Sequence, residues 1–382
     1  MLLLRKRKDG RMASSKTLLS AHWICLRAAA SIIALLFPLY LYSEGFSEAQ
    51  LGSLFAIGTA LSIALSILLF VHSDIIGRKF YLIVFGLFIV LASLIAAVLP
   101  PLFFLGLLVI LFYAAAYRSP WTFGKIFVIE RFGRTMGRSY GIFGASITIG
   151  FAAGSFLAGA FVDSFGFRLS FLICCLIGLI SLLPVAFLSE KKVRLPRFSF
   201  KPKLTKTLTG FIFHRLIFAA GLSSLLTFAL PLYLKNVLLL PYILVGIIIM
   251  LKTAGSVLGW SLGRISDKYD YKAICCGGIF VAGLFFLSLS FLKYLPLICL
   301  MLFLAEFAYC IASTALPYFY REVSTQLGRD ISIIESIGVT LGASVGPWIS
   351  GLVISFAGYP QIFIFGSSLM LGSALILYAI FK

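Results

Sequence analysis

The feature that most constrains this chain is the rhythm of its apolar runs. Twelve of them follow one another between short polar breaks, each near the roughly 20 residues a helix needs to cross bilayer hydrocarbon. They cover approximately 18–42, 49–72, 80–99, 102–128, 138–162, 169–189, 208–235, 242–264, 273–292, 296–320, 331–356 and 360–381. Hydrocarbon offers no water to a bare peptide group, so runs of this length must close their hydrogen bonds internally, as helices. The breaks carry turn chemistry, as at Ser43 to Ser47, Pro100-Pro101, Asp163 to Gly166 and Gly358 to Pro360. Hydrophobic residues make up 61% of the 382 and charged residues 12%, against roughly 45–50% and 25% in soluble domains. That excludes a soluble enzyme and predicts an all-α integral membrane protein with twelve transmembrane helices.

The placement of charge gives the orientation. The 32 Lys and Arg exceed the 13 Asp and Glu by 19, a balance that would suit nucleic acid if the basic residues lined one face. They fall instead in the connections between apolar runs. With the N-terminus inside, 24 lie on the cytoplasmic side, and only Arg168, Lys235 and Lys293 on the other. Such an asymmetry predicts a multi-pass protein of the cell membrane with both termini cytoplasmic. The basic N-terminal stretch before the first run resembles a secretory signal, but no small-residue cleavage site follows, so it reads as an uncleaved first helix. The seven cysteines all lie within apolar runs without zinc-ligand spacing, and read as buried, inert thiols.

A duplication divides the chain. Phe37-Pro38-Leu39-Tyr40-Leu41 returns as Leu230-Pro231-Leu232-Tyr233-Leu234, 193 residues later. Gly150, Gly154, Gly159 and Gly166 return at 192 residues as Gly342, Gly346, Gly351 and Gly358, as does Glu130 as Glu322; Asp74 returns as Asp267 at 193. One register shared by so many matches indicates a doubled six-helix unit, a construction common among secondary transporters. The expected domains are a six-helix bundle over residues 1–189, a basic cytoplasmic linker over 190–207 and a second bundle over 208–382. The linker's seven basic residues and two prolines also suit anchoring on lipid headgroups.

The repeated residues are also those that resemble the major facilitator superfamily. Asp74-Ile75-Ile76-Gly77-Arg78-Lys79 keeps the Asp, the Gly and both final basic residues of that family's loop after its second helix. The second copy keeps Gly263, Asp267, Lys268 and Lys272. The fifth-run glycines ending in Asp163-Ser164-Phe165-Gly166-Phe167-Arg168, and the eleventh-run Gly346-Pro347-Trp348-Ile349-Ser350-Gly351, are similar to the family as well. The resemblance spans essentially the whole chain and implies two pseudo-symmetric bundles that alternate access to a central site. It also implies that Asp74, Arg78, Glu130, Asp267, Lys268, Lys272 and Glu322 hold the cytoplasmic side shut. In that reading Arg78 pairs with Glu130 and Lys272 with Glu322; the alternative is ordinary interfacial ion pairs, worth under ~1 kcal/mol each. Small residues four apart, as in Gly150-x-x-x-Gly154 and Gly342-x-x-x-Gly346, let backbones approach closely. This serves either a surface along which the bundles rock or packing inside each bundle.

Ionisable residues within the runs point to a site, because each costs roughly 2.5–3.5 kcal/mol at a helix centre. They are Arg27 in the first run, Arg118 and Lys125 in the fourth, Arg215 in the seventh, Lys252 in the eighth and Glu306 in the tenth. Runs three, six, nine and twelve have none and read as lipid-facing supports. In the family, helices 1, 4, 7 and 10 line the cavity. Three cations, Arg27, Arg118 and Lys252, face one central carboxylate, Glu306, and such a surplus calls for an anion or water. These four, with Tyr309 on the Glu306 face and Ser313 beyond it, are the expected substrate and proton-coupling residues. Pairing of Lys252 with Glu306, with the arginines on carbonyls, is the competing explanation. Arg215 lies nearer the cytoplasmic end, where snorkelling accounts for it.

Three functions follow. The first is a proton-coupled carrier of a small organic anion, working as a monomer in lipid without a cofactor. The second is a multidrug exporter of the same fold, disfavoured by the absence of a mid-depth carboxylate in the first half and by Ser155 where the family's antiporter motif places Pro. The third, a receptor or scaffold, leaves the intramembrane charges without a purpose. Neither a nucleotide-binding loop nor a His/Glu metal cluster is present, so enzymatic function is not expected, nor is nucleic acid a partner.

Overall fold

In the computed structural model the described backbone covers residues 2–76, 78–132, 135–188, 205–325 and 327–382. Side chains are described for these residues except 2–16, 67, 70–76, 78, 119–120, 122–132 and 327–329. The described chain is almost wholly helical, without a strand. We number the crossings α1 (Leu2–Ser43), α2 (Glu48–Ile76), α3 (Arg78–Val98) and α4 (Phe103–Phe132). A 51-residue element, Met136–Ala186, follows. Gly166 splits it into α5 and α6, with φ 74° and ψ 175°, a conformation open to glycine without strain. The second half contains α7 (Lys206–Val237), α8 (Tyr242–Lys268), α9 (Tyr271–Ser288), α10 (Leu295–Val323), α11 (Asp330–Ala357) and α12 (Tyr359–Phe381). Gly358, at φ 91°, separates the last two, as Gly166 separates α5 from α6.

Local chemistry sets the helix ends. Ser47 and Gln50 form a reciprocal cap at the start of α2: the Ser47 N–H donates to Gln50 Oε1 at 2.9 Å and the Gln50 N–H to Ser47 Oγ at 3.3 Å. Thr205 Oγ1 accepts from the Leu208 N–H at 3.1 Å and Asp270 from the Lys272 N–H at 3.0 Å, capping α7 and α9. Pro sits in the first turn of α10 and of α12, where its missing N–H leaves no bond unmade. Four of the second-half helices are interrupted, α8 among them, which breaks after Ser261 and restarts at Arg264. The α7 helix breaks after Leu226 and ends in a π-turn over Tyr233–Val237, α10 restarts at Leu316, and α11 holds a π-turn over Ile334–Thr340.

The packing repeats with the sequence. Within the first half α1 and α3 pack on the α5–α6 element, and α4 on α2 and α3; within the second α7 and α9 pack on α11 and α12, and α10 on α8 and α9. Between halves α5 lies along α8, and its counterpart α11 along α2. Two histidines 192 apart staple each half in the same way. His22 donates from Nδ1 to the Ser181 carbonyl at 2.6 Å and His214 to the Ser373 carbonyl at 2.8 Å. Exposed apolar side chains such as Leu91, Leu176, Leu284 and Leu375 lie on α3, α6, α9 and α12, the helices without internal charges. That is the distribution lipid-facing helices require.

The repeated glycines divide between two tasks. A Cβ on Gly150 or Gly154 would stand 2.3 Å from the Ile24 carbonyl or 2.1 Å from the Ala28 carbonyl. One on Gly342 or Gly346 would meet the Leu216 carbonyl at 2.3 Å or the Ala220 carbonyl at 2.4 Å. These four therefore pack α5 on α1 and α11 on α7, inside each half. The seam between halves uses others: Gly137 against Gly263, Gly159 against Tyr242, Gly246 against Ser155, and Gly52 against Pro347 and Gly351.

Candidate functional site

The buried charges sort into three groups. In the first, Lys252 Nζ on α8 lies 2.8 Å from Glu306 Oε1 on α10, and Ser256 Oγ donates to Glu306 Oε2 at 2.8 Å. All three side chains are buried. Both carboxylate oxygens thus have a partner within the second half, and the pair is locally neutral. Breaking such a pair from one side leaves an uncompensated charge, at about 3–5 kcal/mol.

The second group surrounds Arg27 on α1, which is 2% exposed. Its Nη1 donates to the Tyr117 carbonyl at 2.7 Å, and its guanidinium carbon lies 3.8 Å from the Tyr117 ring centroid, 5.6 Å from Trp121 and 5.8 Å from Phe151. Ring faces and a carbonyl stabilise the cation without a carboxylate. Ser31 and Ser155 meet hydroxyl to hydroxyl at 2.7 Å beside it, tying α1 to α5.

The third group lies where the halves meet. Glu335, in the π-turn of α11, is 7% exposed and accepts a hydrogen bond from the Tyr320 hydroxyl. It lies within electrostatic reach of Arg118 on α4, Arg215 on α7 and Tyr140 on α5. Arg215 is 3% exposed, its guanidinium 5.3 Å from the Phe218 ring, which stacks in turn on Tyr309 at 5.3 Å. Ser313 is buried one turn beyond Tyr309. Glu306 is therefore not the sole buried carboxylate of the spans. Arg215, expected to snorkel, is buried among rings and a carboxylate from α10 and α11. The sequence signal for Glu335 was its position inside the eleventh apolar run.

Polar contacts close both ends of the α5–α8 seam. At the end where α5 begins, Asp267 Oδ1 accepts from the Gly137 N–H at 2.8 Å and from the Tyr318 hydroxyl at 2.6 Å, and Oδ2 from the Arg138 N–H at 3.0 Å. A carboxylate thus caps the N-terminus of the opposite half's helix, where the helix dipole favours negative charge. At the other end Asp163, near the close of α5, accepts from the Ile243 N–H at the start of α8, at 2.8 Å. The two helices cap each other reciprocally. Trp121 and Trp260 stack between the halves at 5.6 Å, and Tyr140 meets Trp260 edge-on at 5.3 Å.

Of the other expected gating residues, Lys272 and Glu322 approach to 3.8 Å with more than a third of each side chain exposed. Glu322 also accepts from the Tyr271 hydroxyl. Lys268 is exposed. The side chains of Asp74, Arg78, Glu130 and Lys125 lie outside the described residues.

Two six-helix halves related by an internal repeat, closed on each other around buried charges, define a polytopic membrane transporter. The model of the Major Facilitator Superfamily matches residues 23–336, and the chain belongs to that family. An uncharacterised MFS-type transporter of Methanocaldococcus jannaschii is 26% identical over 156 residues, a match spanning 39% of either chain. The fold is that of solved family members. The human organic anion transporter MFSD10 (TETRAN) superposes with a TM-score of 0.74 over 96% of this chain and 99% of its own, at 16% identity. The nucleoside transporter NupG, solved as a point mutant, gives 0.73 over 97% and 100%, at 15% identity.

Proposed function

We propose that this transporter moves a small organic anion across the cell membrane by alternating access, driven by protons, as a monomer with both termini cytoplasmic. The carrying observation is the placement of buried charge: among the described residues of the spans Arg27, Arg215 and Lys252 are buried and Arg118 is half-buried, against the carboxylates Glu306, Asp330 and Glu335, and Arg27 is held by a carbonyl and ring faces rather than by a carboxylate. Only one of these cations is neutralised within a closed pair. A surplus cation in low dielectric favours an incoming anion. MFSD10, of the same fold, is an organic anion transporter. Residues 1–189 and 208–382 would move as two bodies joined by 190–207. Asp267 serves as the cytoplasmic latch and Asp163 as its counterpart on the other face. The cycle opens one latch while the other holds.

The sequence picks out Glu306 as the coupling carboxylate, and Lys252 and Ser256 hold its two oxygens. Uptake of labelled organic anions, nucleosides and cationic dyes into proteoliposomes, with and without an imposed pH gradient, tests the reading. Accumulation of an anion that collapses with the gradient supports it. Accumulation of dyes or nucleosides alone overturns it.

A further inference from the structure

Of the buried cations, Lys252 is matched by Glu306 and Arg27 by a carbonyl and three ring faces. Arg215 is less settled: although it is buried, its Nε and Nη1 have no hydrogen-bond partner, whereas of the Arg27 nitrogens Nε alone is left so. We propose that Arg215 of the second half and Arg118 of the first form the substrate-anion site, and that Glu335 is an internal carboxylate whose place at the arginines the substrate takes. This rests on the anion reading above and names the residues that carry it.

The local backbone supports the assignment. Glu335 stands in a π-turn, a geometry that concentrates at functional sites, and the Thr340 hydroxyl donates to its carbonyl at 2.8 Å. Gly338 in the same turn lets α7 come close: a Cβ there would stand 2.9 Å from Arg215 Cβ. The helix is thus reshaped where Glu335 lies near Arg215 of its own half and within electrostatic reach of Arg118 of the other. Glu306 has its two oxygens engaged by Lys252 and Ser256.

The chemistry of the site selects its ligand. A guanidinium presents a planar fork of donors that matches a carboxylate. Phe218, Tyr309 and Tyr140 offer ring surface around Arg215, so the substrate class is an organic carboxylate with a flat or apolar body. When the substrate carboxylate takes the guanidiniums, Glu335 accepts one proton and, as the neutral acid, still receives the Tyr320 hydroxyl hydrogen bond. The site holds two guanidiniums and one negative charge both before and after. One proton therefore travels with each monoanion, and the loaded and empty sites carry the same net charge.

The described charged or titratable groups facing Glu335 are Arg118 from α4, Tyr140 from α5, Arg215 from α7 and Tyr320 from α10. Asp330, one turn before it in α11, is engaged by the Thr325 N–H at 2.7 Å. The described side chains of α2 that approach the π-turn carry no charge.

The test is calorimetric binding of benzoate to the purified full chain in nanodiscs across a pH series, in buffers of different ionisation enthalpy. The wild type should take up about one proton per benzoate, its Kd weakening about tenfold per pH unit, as proton linkage requires. Glu335→Gln should bind benzoate with no proton uptake and no such slope. Arg215→Lys, which keeps the charge but loses the fork, should weaken binding at least tenfold. An unchanged slope in Glu335→Gln together with its loss in Glu306→Gln assigns the proton to Glu306 and overturns this proposal while sparing the anion reading. Undiminished binding by Arg215→Lys and Arg215→Gln also overturns it. If the wild type binds neither benzoate, succinate nor phosphate, the anion reading itself falls.

Discussion

Replacing Asp267 by Asn should open the end of the seam at which α5 begins. The carboxylate accepts hydrogen bonds from two backbone N–H groups at the start of α5 and from the Tyr318 hydroxyl. An amide keeps one acceptor oxygen, turns an NH2 group toward a donor, and loses the charge that the helix N-terminus favours. Hydrogen bonds to charged groups contribute about 1.5–3 kcal/mol and the helix terminus about 0.3–1 kcal/mol. A net loss of about 2 kcal/mol from the closed arrangement alone shifts its population roughly 30-fold. Spin labels at positions 135 and 269, which flank the start of α5 and the end of α8, report that shift as a longer distance by double electron–electron resonance. Tyr318→Phe removes one bond of the three and should shift the population less, by about 1 kcal/mol. If both variants give the wild-type distance distribution and wild-type transport, Asp267 is a surface cap and the latch argument is wrong.

Other perturbations probe separate parts of the molecule. Lys252→Met or Glu306→Leu alone should destabilise the protein by about 3–5 kcal/mol, whereas the double variant recovers most of the loss; thermal denaturation in detergent measures both, and additive losses would deny the pairing. Gly154→Ala places a Cβ 2.1 Å from the Ala28 carbonyl and should sharply lower the yield of folded protein, while Gly372→Ala, with nothing within 4 Å of the new atom, should leave it unchanged or improved; equal yields on size-exclusion chromatography would refute the close packing. Single cysteines at 168 or 293 should react with an impermeant maleimide from outside intact cells, and those at 197 or 268 only after permeabilisation; outside labelling at 197 would reverse the orientation.

Hydropathy displays what lipid demands, so the spans and their order are legible in the residues alone. The repeat is legible too, because matched contacts preserve matched residues. Gly166 and Gly358 fall where both copies need a positive φ, and the His22 and His214 staples sit at the same 192 offset as the glycines, although nothing in their neighbouring residues marks them as staples. Side-chain facing is harder to read. The pairing of Lys252 with Glu306 requires α8 and α10 to be neighbours, and the sequence supports it only as one of two explanations. Glu335 is hidden because depth, counted from the end of a run, does not reveal that α11 turns this residue toward another helix. Asp163 looks like a turn residue, since its partner is a backbone N–H that no composition marks. The helix interruptions in α7 and α11 also lie beyond a hydropathy count, because a π-turn changes hydrogen-bond register without changing residue type.

The glycines along α5 and α8 give the contact between the halves a mechanical character. Where Gly137 meets Gly263 and Gly159 meets the α8 backbone, main chain bears directly on main chain, while Trp260 of α8 is seated against Gly144 and Tyr140 of α5. Knobs would have to leave their holes before the halves could tilt; bare ridges need only roll. The seam thus works as a bearing along its glycine contacts, and resistance to motion gathers at Trp260 and in the polar bonds at the two ends. Variants that lengthen a side chain at the middle of the seam would act as grit, slowing turnover without changing which ligand is bound.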